Sequence, residues 1–299
     1  MGEKIERRQA LECMLWAGTG LVWTVAGGIP RAAQAADTGF TFAQVSDSHL
    51  GFKADPNMDT PATFRKAVGL IAATRPAFVL HTGDVSHLSH PDQLDTGAQI
   101  LRETGIETHV IPGEHDWIDN GAAFRARFAA PAAPQTDGLG YYTFDHQGVH
   151  FIGLNNVAGL GASGLGRLGP AQIAWLSRDL AGRPASQPIV IFAHIPLWAV
   201  WPAWGWGTEE TPQLLTMLRR FGSVTVLNGH IHQVLQKVEG HVAFHTARST
   251  AFPQAAPGSA PHPGPYHLPP GTLAGYLGTR RVSYVPGKSE LALVETPLA

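Results

Sequence analysis

Five apolar runs of strand length, each ending in a polar cluster, form the clearest pattern along the chain. They are "FTFAQVSDSH", "PAFVLHTGD", "ETHVIPGEHD", "PIVIFAH" and "SVTVLNGHIH". Short apolar runs bounded by turn residues are typical of buried strands. The pattern therefore predicts five strands whose C-terminal ends carry polar side chains.

Helical segments separate the first three of these strands. Residues 59–76 and 90–105 each begin with residues typical of a helix N-terminus. They also contain apolar residues for the buried face of a helix, namely Leu70, Ile71, Leu94 and Ile100. Alternation of strand and helix is typical of α/β folds. In such folds functional groups gather beyond the carboxyl ends of the strands, so the five polar clusters are expected to meet.

Further elements follow the same rules. Alternating apolar residues predict hairpins at 141–156, 236–248 and 280–296, and "GPAQIAWLSRDLAG" predicts a helix with an early proline and a final glycine. The Pro- and Gly-rich segment at about 251–279 lacks periodicity and is expected to be a long surface loop. We expect a single layered α/β domain over residues 36–299, with central β-sheets flanked by helices.

Residues 1–35 have the features of an export signal. Arg7-Arg8 precedes an uncharged run, and Ala33-Gln34-Ala35 offers a small-residue cleavage site. Paired arginines are typical of the twin-arginine route, which predicts a periplasmic or secreted protein. The alternative is an uncleaved membrane anchor, although the run contains four glycines and is shorter than most spanning helices.

The amino-acid composition limits which ligands and binding partners the chain can use. The single cysteine, Cys13, lies in the predicted signal, so the mature chain would have neither disulfides nor thiolate ligands. The formal net charge of −2 shows no excess of basic residues of the kind that binds nucleic acid. The chain has 15 histidines, whose imidazoles suit transition metals near neutral pH.

The predicted strand ends bring together a list of oxygen and nitrogen donors: Asp47, His49, Asp84, Glu114, His115, His194, His230 and His232. This set is too large for one four-coordinate ion, but it would serve two ions that share a carboxylate. Mixed nitrogen and oxygen donors suit zinc, manganese or iron. Two such ions about 3.5–4 Å apart are the arrangement that catalyses phosphoryl displacement.

The motifs "DSH", "GD", "GEHD", "AH" and "GHIH" resemble those of the calcineurin-like metallophosphoesterase family in order and spacing over roughly residues 40–250. The resemblance implies hydrolysis of a phosphate mono- or diester by a hydroxide bridging two metal ions. It implies that Asp47, His49 and His232 hold one ion, that Glu114, His194 and His230 hold the other, and that Asp84 bridges them. His115 would be the acid that protonates the leaving group.

Glu114 departs from the resemblance, since the family usually has asparagine at this place. A glutamate ligand would lower the net charge of the centre, make the bridging water less acidic and favour a centre with one trivalent ion. The alternative is that Glu114 points away into a surface ion pair and leaves the second metal weak or absent.

Candidate substrate contacts are less well defined. His87 lies just past the predicted bridging aspartate, on a loop expected to open over the site. "HIPLWAVWPAWGWGTEE" contains four tryptophans, of which Trp198 and Trp201 are the candidates for contact with a small-molecule or phosphorylated substrate. The tryptophans could instead bury a loop against the core or form a patch for a partner.

Two other functions remain open at this point. The chain could be a metal-dependent binding module with weak catalysis that docks a partner through the tryptophan-rich loop. It could also hydrolyse a non-phosphate ester, because the ligands would fix a hydroxide rather than a substrate.

Overall fold

The computed structural model describes residues 21–26, 29–34, 39–128, 139–288 and 291–299. Most of the predicted signal, including Arg7-Arg8, lies outside the described residues. Within it, strands β1 (Leu21–Ala26) and β2 (Ile29–Gln34) pair antiparallel as a separate unit. No helix in the described ranges has both the length and the apolar character needed to cross a bilayer.

A five-stranded mixed sheet carries the first three predicted strands. Its order is β13-β12-β3-β4-β5, and β3, β4 and β5 run parallel. The strands are β3 (Phe40–Val45), β4 (Val79–His81), β5 (Thr108–Val110), β12 (Gly278–Tyr284) and β13 (Ala292–Pro297). The hairpin expected at 280–296 is therefore confirmed, and its first strand pairs antiparallel with β3.

A six-stranded mixed sheet carries the other two predicted strands. Its order is β10-β11-β9-β8-β7-β6, with β7, β8, β9 and β11 parallel. The strands are β6 (Tyr142–His146), β7 (Val149–Leu154), β8 (Ile189–Ala193), β9 (Val224–Asn228), β10 (Gln236–Glu239) and β11 (Val242–Thr246). The hairpins expected at 141–156 and 236–248 are confirmed.

The first two helices lie where the sequence predicts them, between the parallel strands of the smaller sheet. Asp59 caps the first by accepting a hydrogen bond from the Ala62 backbone N–H at 3.0 Å, and Pro61 occupies its first turn. Within the described residues the α-helices are α1 (Thr60–Thr74), α2 (Pro91–Arg102), α3 (Ala122–Phe128), α4 (Gly169–Ala181), α5 (Thr211–Leu218) and α6 (Leu273–Tyr276).

Apolar packing joins these elements into layers. Phenylalanines from both sheets, among them Phe42 of β3 and Phe151 of β7, pack together with ring centroids 5.4 Å apart. A second cluster buries α1 and α2 against the smaller sheet, and a third buries α4 and α5 against the larger one. The fold is therefore two mixed sheets flanked by helices, as predicted.

Candidate metal centre

The first donor group joins the ends of β3 and β9. Asp47 and His49 follow β3, and His232 follows β9. The Nε2 atom of His232 lies 3.3 Å from Oδ1 of Asp47 and 3.2 Å from Nε2 of His49. These three buried side chains form one of the groups able to hold a metal ion.

The second donor group contains Glu114, which turns inward rather than toward solvent. Its Oε2 atom lies 2.9 Å from Nε2 of His194, and its Oε1 atom lies 2.9 Å from Nδ1 of His230. His194 follows β8, and His230 follows β9. Glu114, His194 and His230 therefore form another candidate ligand group.

Asp84, which follows β4, lies between the two groups. Its Oδ2 atom is 3.5 Å from Nε2 of His49 and 3.3 Å from Nε2 of His194. One carboxylate thus approaches a member of each donor group, which is the arrangement that a bridging ligand requires.

The chemistry of these atoms fits metal ions. Oε2 of Glu114 and Nε2 of His194 are buried, and although they are close together neither has a partner in hydrogen-bonding geometry. Burial raises the pKa of Glu114, but His230 and His194 outweigh it and hold that pKa well below its ordinary value. Likewise, burial raises the pKa of Asp47, but His232 and His194 lower it overall. Buried anionic oxygens and unpartnered imidazole nitrogens are what a divalent transition metal needs.

Hydrogen bonds on the far side of the rings fix the orientation of two histidines. Nδ1 of His194 donates to the carbonyl of Thr82 at 2.7 Å, and Nδ1 of His232 donates to the carbonyl of Phe252 at 2.6 Å. Nε2 of each ring is then the acceptor that faces the other donors, which is the usual arrangement for metal-binding histidines.

The backbone beneath the donors is unusual. Five of them have positive φ angles between 40° and 69°, in the left-handed region that residues other than glycine rarely adopt: Asp47, His49, Asp84, His230 and His232. Backbone bonds hold these turns, such as Asp47 N–H to Gly83 O and His49 N–H to Asp84 O, each at 3.0 Å. Such conformations persist only where surrounding structure imposes them, and they cluster at functional sites.

Asp116 supports the centre without belonging to either donor group. It is fully buried and accepts hydrogen bonds from the backbone N–H groups of Val85, Ser86 and Gly113 at 3.0, 2.8 and 3.1 Å. Burial and the nearby Asp84 raise the pKa of Asp116 to about 6. It therefore ties the turn that presents Asp84 to the turn that presents Glu114. The sequence placed Asp116 beside His115, but no local pattern indicated this role.

Residues 40–234 match the family described as calcineurin-like phosphoesterase. The chain belongs to this family. A probable cyclic nucleotide phosphodiesterase of Psychrobacter sp. is 27% identical over 161 residues, which are 52% of this chain and 46% of that protein. A 3',5'-cyclic-nucleotide phosphodiesterase of Nostoc sp. is 25% identical over 216 residues, which are 68% of this chain and 76% of that protein. The matched region thus spans about half of one relative and three quarters of the other.

Solved structures share the fold. A dimetal phosphatase from Danio rerio superimposes with a TM-score of 0.59 at 16% identity, over 87% of this chain and 99% of that one. A purple acid phosphatase from yellow lupin (Lupinus luteus) superimposes with a TM-score of 0.62 at 14% identity, over 88% of this chain and 52% of that one.

His115 and His87 stand side by side at the edge of the candidate metal centre. Their rings stack with centroids 5.0 Å apart, and Nδ1 of His115 donates to the carbonyl of His87 at 2.6 Å. Burial alone would lower the pKa of His115, but Asp84, Glu114 and that carbonyl raise it above its ordinary value. His87 also approaches His49, with their Nδ1 atoms 3.3 Å apart.

A cavity of about 340 Å³ opens over the donors, and His87 and His115 both line it. Its aromatic walls include Trp204 and Trp206 rather than the two tryptophans expected from the sequence. Trp198 is buried in the core, where it packs on Phe244 with ring centroids 5.3 Å apart. Trp201 is 42% exposed and does not line the cavity. Composition indicated an aromatic segment but could not indicate which rings face inward.

Proposed function

We propose that this chain is a metal-dependent phosphodiesterase with a dinuclear centre. The observation that carries the proposal is the pair of donor groups that approach one another at Asp84. Membership of the calcineurin-like phosphoesterase family supports hydrolysis of a phosphate ester. The two relatives described above are named as cyclic nucleotide phosphodiesterases, which supports a diester, and cyclic nucleotides are the first substrates to test.

The donors divide between two ions by position. Asp47, His49 and His232 would hold one, Glu114, His194 and His230 would hold the other, and Asp84 would contact both. Zinc, manganese and iron suit this set. Bound as a pair, such ions supply positive charge that orients a phosphate, makes water more acidic and stabilises the leaving oxygen.

His115 is proposed as the proton donor to the leaving group. Because its Nδ1 atom donates to the His87 carbonyl, Nε2 is the nitrogen free to face the cavity. The stacked ring of His87 limits how far His115 can rotate. Protonating a departing alkoxide at this position would accelerate the loss of poor leaving groups. His87 is proposed to contact the phosphate or its ester arm from the same edge.

Glu114 in place of the asparagine usual in the family is proposed to tune the metal content. With Asp47 and Asp84 it gives three carboxylates around the centre, which reduces the net charge left by two divalent ions from +2 to +1. A centre with one trivalent ion would restore the charge. We therefore propose iron as one of the metals.

Export by the twin-arginine route is proposed from Arg7-Arg8 and the small-residue site at Ala33-Gln34-Ala35. This route carries folded proteins, so the centre could be loaded before export. Fractionation of cells that express the chain tests the proposal. The wild type should accumulate in the periplasm, whereas the Arg7→Lys/Arg8→Lys double variant should remain in the cytoplasm, and equal distribution would contradict it.

A binding module that uses the tryptophan-rich loop is not favoured. That function needs several exposed indoles, but Trp198 and Trp206 are buried and only Trp201 of this segment is more than a third exposed.

Hydrolysis assays on metal-loaded protein test the proposed function. Bis(4-nitrophenyl) phosphate and 3',5'-cyclic AMP should be hydrolysed, and 4-nitrophenyl phosphate should be hydrolysed more slowly. An Asp84→Asn variant is the negative control. Preference for the monoester, or the absence of hydrolysis of all three, would overturn the assignment.

A further inference from the structure

A second cavity of about 420 Å³ lies beside the metal centre. It shares two lining residues, His232 and Gln254, with the cavity over the donors. Its volume lies in the range of cavities that bind small molecules. None of the roles assigned above uses it.

The wall between the two cavities is held in place by hydrogen bonds to the metal-binding turn. Nε2 of Gln254 donates to the carbonyl of His230 at 2.7 Å, and its Oε1 accepts from the Gly264 N–H at 3.2 Å. The carbonyl of Phe252 accepts from His232. A ligand in the second cavity would therefore lie at a fixed place relative to a phosphate on the metals.

Arg248 gives this cavity a positive charge. Among the described residues that line it, none is acidic. The Nη1 atom of Arg248 donates to the carbonyl of Gly275 at 2.7 Å, whereas its buried Nε atom has no hydrogen-bond partner. The guanidinium is thus anchored at one atom and keeps donors for a ligand, which favours a group rich in hydrogen-bond acceptors.

Two tyrosines make the same cavity aromatic. Tyr266 and Tyr276 line it and are 46% and 45% exposed, so about half of each side chain is still available for contact. The backbone N–H of Tyr266 donates to the carbonyl of Pro253 at 2.8 Å, and Tyr276 ends α6 next to the carbonyl that holds Arg248. Exposed rings on anchored backbone are suited to contact a flat unsaturated ring.

We propose that this cavity binds a nucleoside arm of the phosphodiester, with the base against Tyr266 and Tyr276 and its acceptor atoms facing Arg248. A nucleoside combines a planar ring with several acceptors, which matches the two kinds of lining side chain. The inference rests on the proposed phosphodiesterase function and adds the residues that select the substrate.

Two esters with the same leaving group separate the subsite from the reaction. Thymidine 5'-(4-nitrophenyl) phosphate carries a nucleoside arm, and methyl 4-nitrophenyl phosphate does not. Removing one stacking ring by Tyr276→Ala should raise KM for the nucleoside ester roughly tenfold and leave the methyl ester unchanged. Tyr276→Phe keeps the ring and should behave like the wild type. Arg248→Gln should raise KM for the nucleoside ester, with Arg248→Lys intermediate.

Equilibrium binding gives a readout that does not depend on turnover. Calorimetric titration with adenosine 5'-monophosphate should show roughly tenfold weaker binding to Tyr276→Ala than to the wild type or Tyr276→Phe. Unchanged KM ratios together with unchanged nucleotide affinity would overturn the subsite while leaving phosphodiester hydrolysis intact. Failure of the wild type to hydrolyse either ester, with the affinity difference still present, would overturn the proposed hydrolysis and support the subsite.

Discussion

At the scale of single residues, the candidate centre is built from side chains whose turns are far apart in the chain, from Asp47 to His232. The pairs Asp47-x-His49 and His230-x-His232 are recognisable in the sequence because each pair follows an apolar run. The inward orientation of Glu114 emerges only from the structure, where its two oxygens lie 2.9 Å from two different histidines. The positive φ angles of the donors and the anchoring role of Asp116 depend on contacts between distant turns, which no local pattern reveals.

Replacing Glu114 with asparagine tests the charge argument. Glu114→Asn keeps an oxygen donor and removes one negative charge, so the ratio of iron to divalent metal should fall. The metal content of both proteins, expressed in the same medium and measured by inductively coupled plasma mass spectrometry, provides the test. An unchanged ratio together with an unchanged pH profile of hydrolysis would contradict the argument.

Replacing His115 with alanine tests proton donation. His115→Ala should lower turnover at least about 100-fold for an ester with an alkoxide leaving group, because proton donation typically contributes that much or more. The loss should be much smaller for a nitrophenolate, which departs without a proton. Rates on one substrate of each kind provide the measurement, and equal losses on both would assign His115 a structural role.

At the scale of elements, periodicity predicts α1, α2, α4 and the parallel strands because each buries one face or both. It does not predict α3 or α6, which contain seven and four residues, too few to establish a period. It also misses α5, eight residues that begin soon after the tryptophan-rich segment. The partition of the strands between two sheets depends on packing between layers, such as Phe42 against Phe151, and cannot be derived from spacing alone.

The turn after β5 is packed so closely against Asp84 that it tolerates no side chain at Gly113. A Cβ atom there would lie 2.0 Å from Oδ1 and 2.5 Å from the backbone nitrogen of Asp84. Gly113→Ala should therefore displace Asp84 and reduce bound metal to one equivalent or less.

Gly69→Ala is the matched control, since nothing lies within 4 Å of a Cβ in that helical position. The control should keep its metal and gain up to about 1 kcal/mol of stability. Normal metal content in Gly113→Ala would contradict the bridging position of Asp84.

At the scale of the whole molecule, the centre joins both sheets. Asp47, Asp84 and Glu114 follow strands of the smaller sheet, and His194, His230 and His232 follow strands of the larger one. Ions bound among them would link the two layers and stabilise the folded state relative to the unfolded chain.

Metal removal should therefore lower thermal stability. At a free metal concentration about 100 times Kd, one bound ion contributes about 2.7 kcal/mol, which corresponds to a shift in Tm of roughly 4–5 °C for a chain of 299 residues. Differential scanning calorimetry before and after chelation, and again after zinc or manganese is restored, provides the test. A Tm that does not change on chelation would contradict metal binding by these donors.

Metal stoichiometry measured alongside single-site variants tests the central claim most directly. The wild type should contain two equivalents of metal per chain, and His49→Ala and His230→Ala, which alter different donor groups, should each reduce the content by about one. Only the wild type should hydrolyse bis(4-nitrophenyl) phosphate at full rate. A wild type with one equivalent or none that still hydrolyses the ester, or variants that both keep two equivalents, would contradict a dinuclear centre at this site.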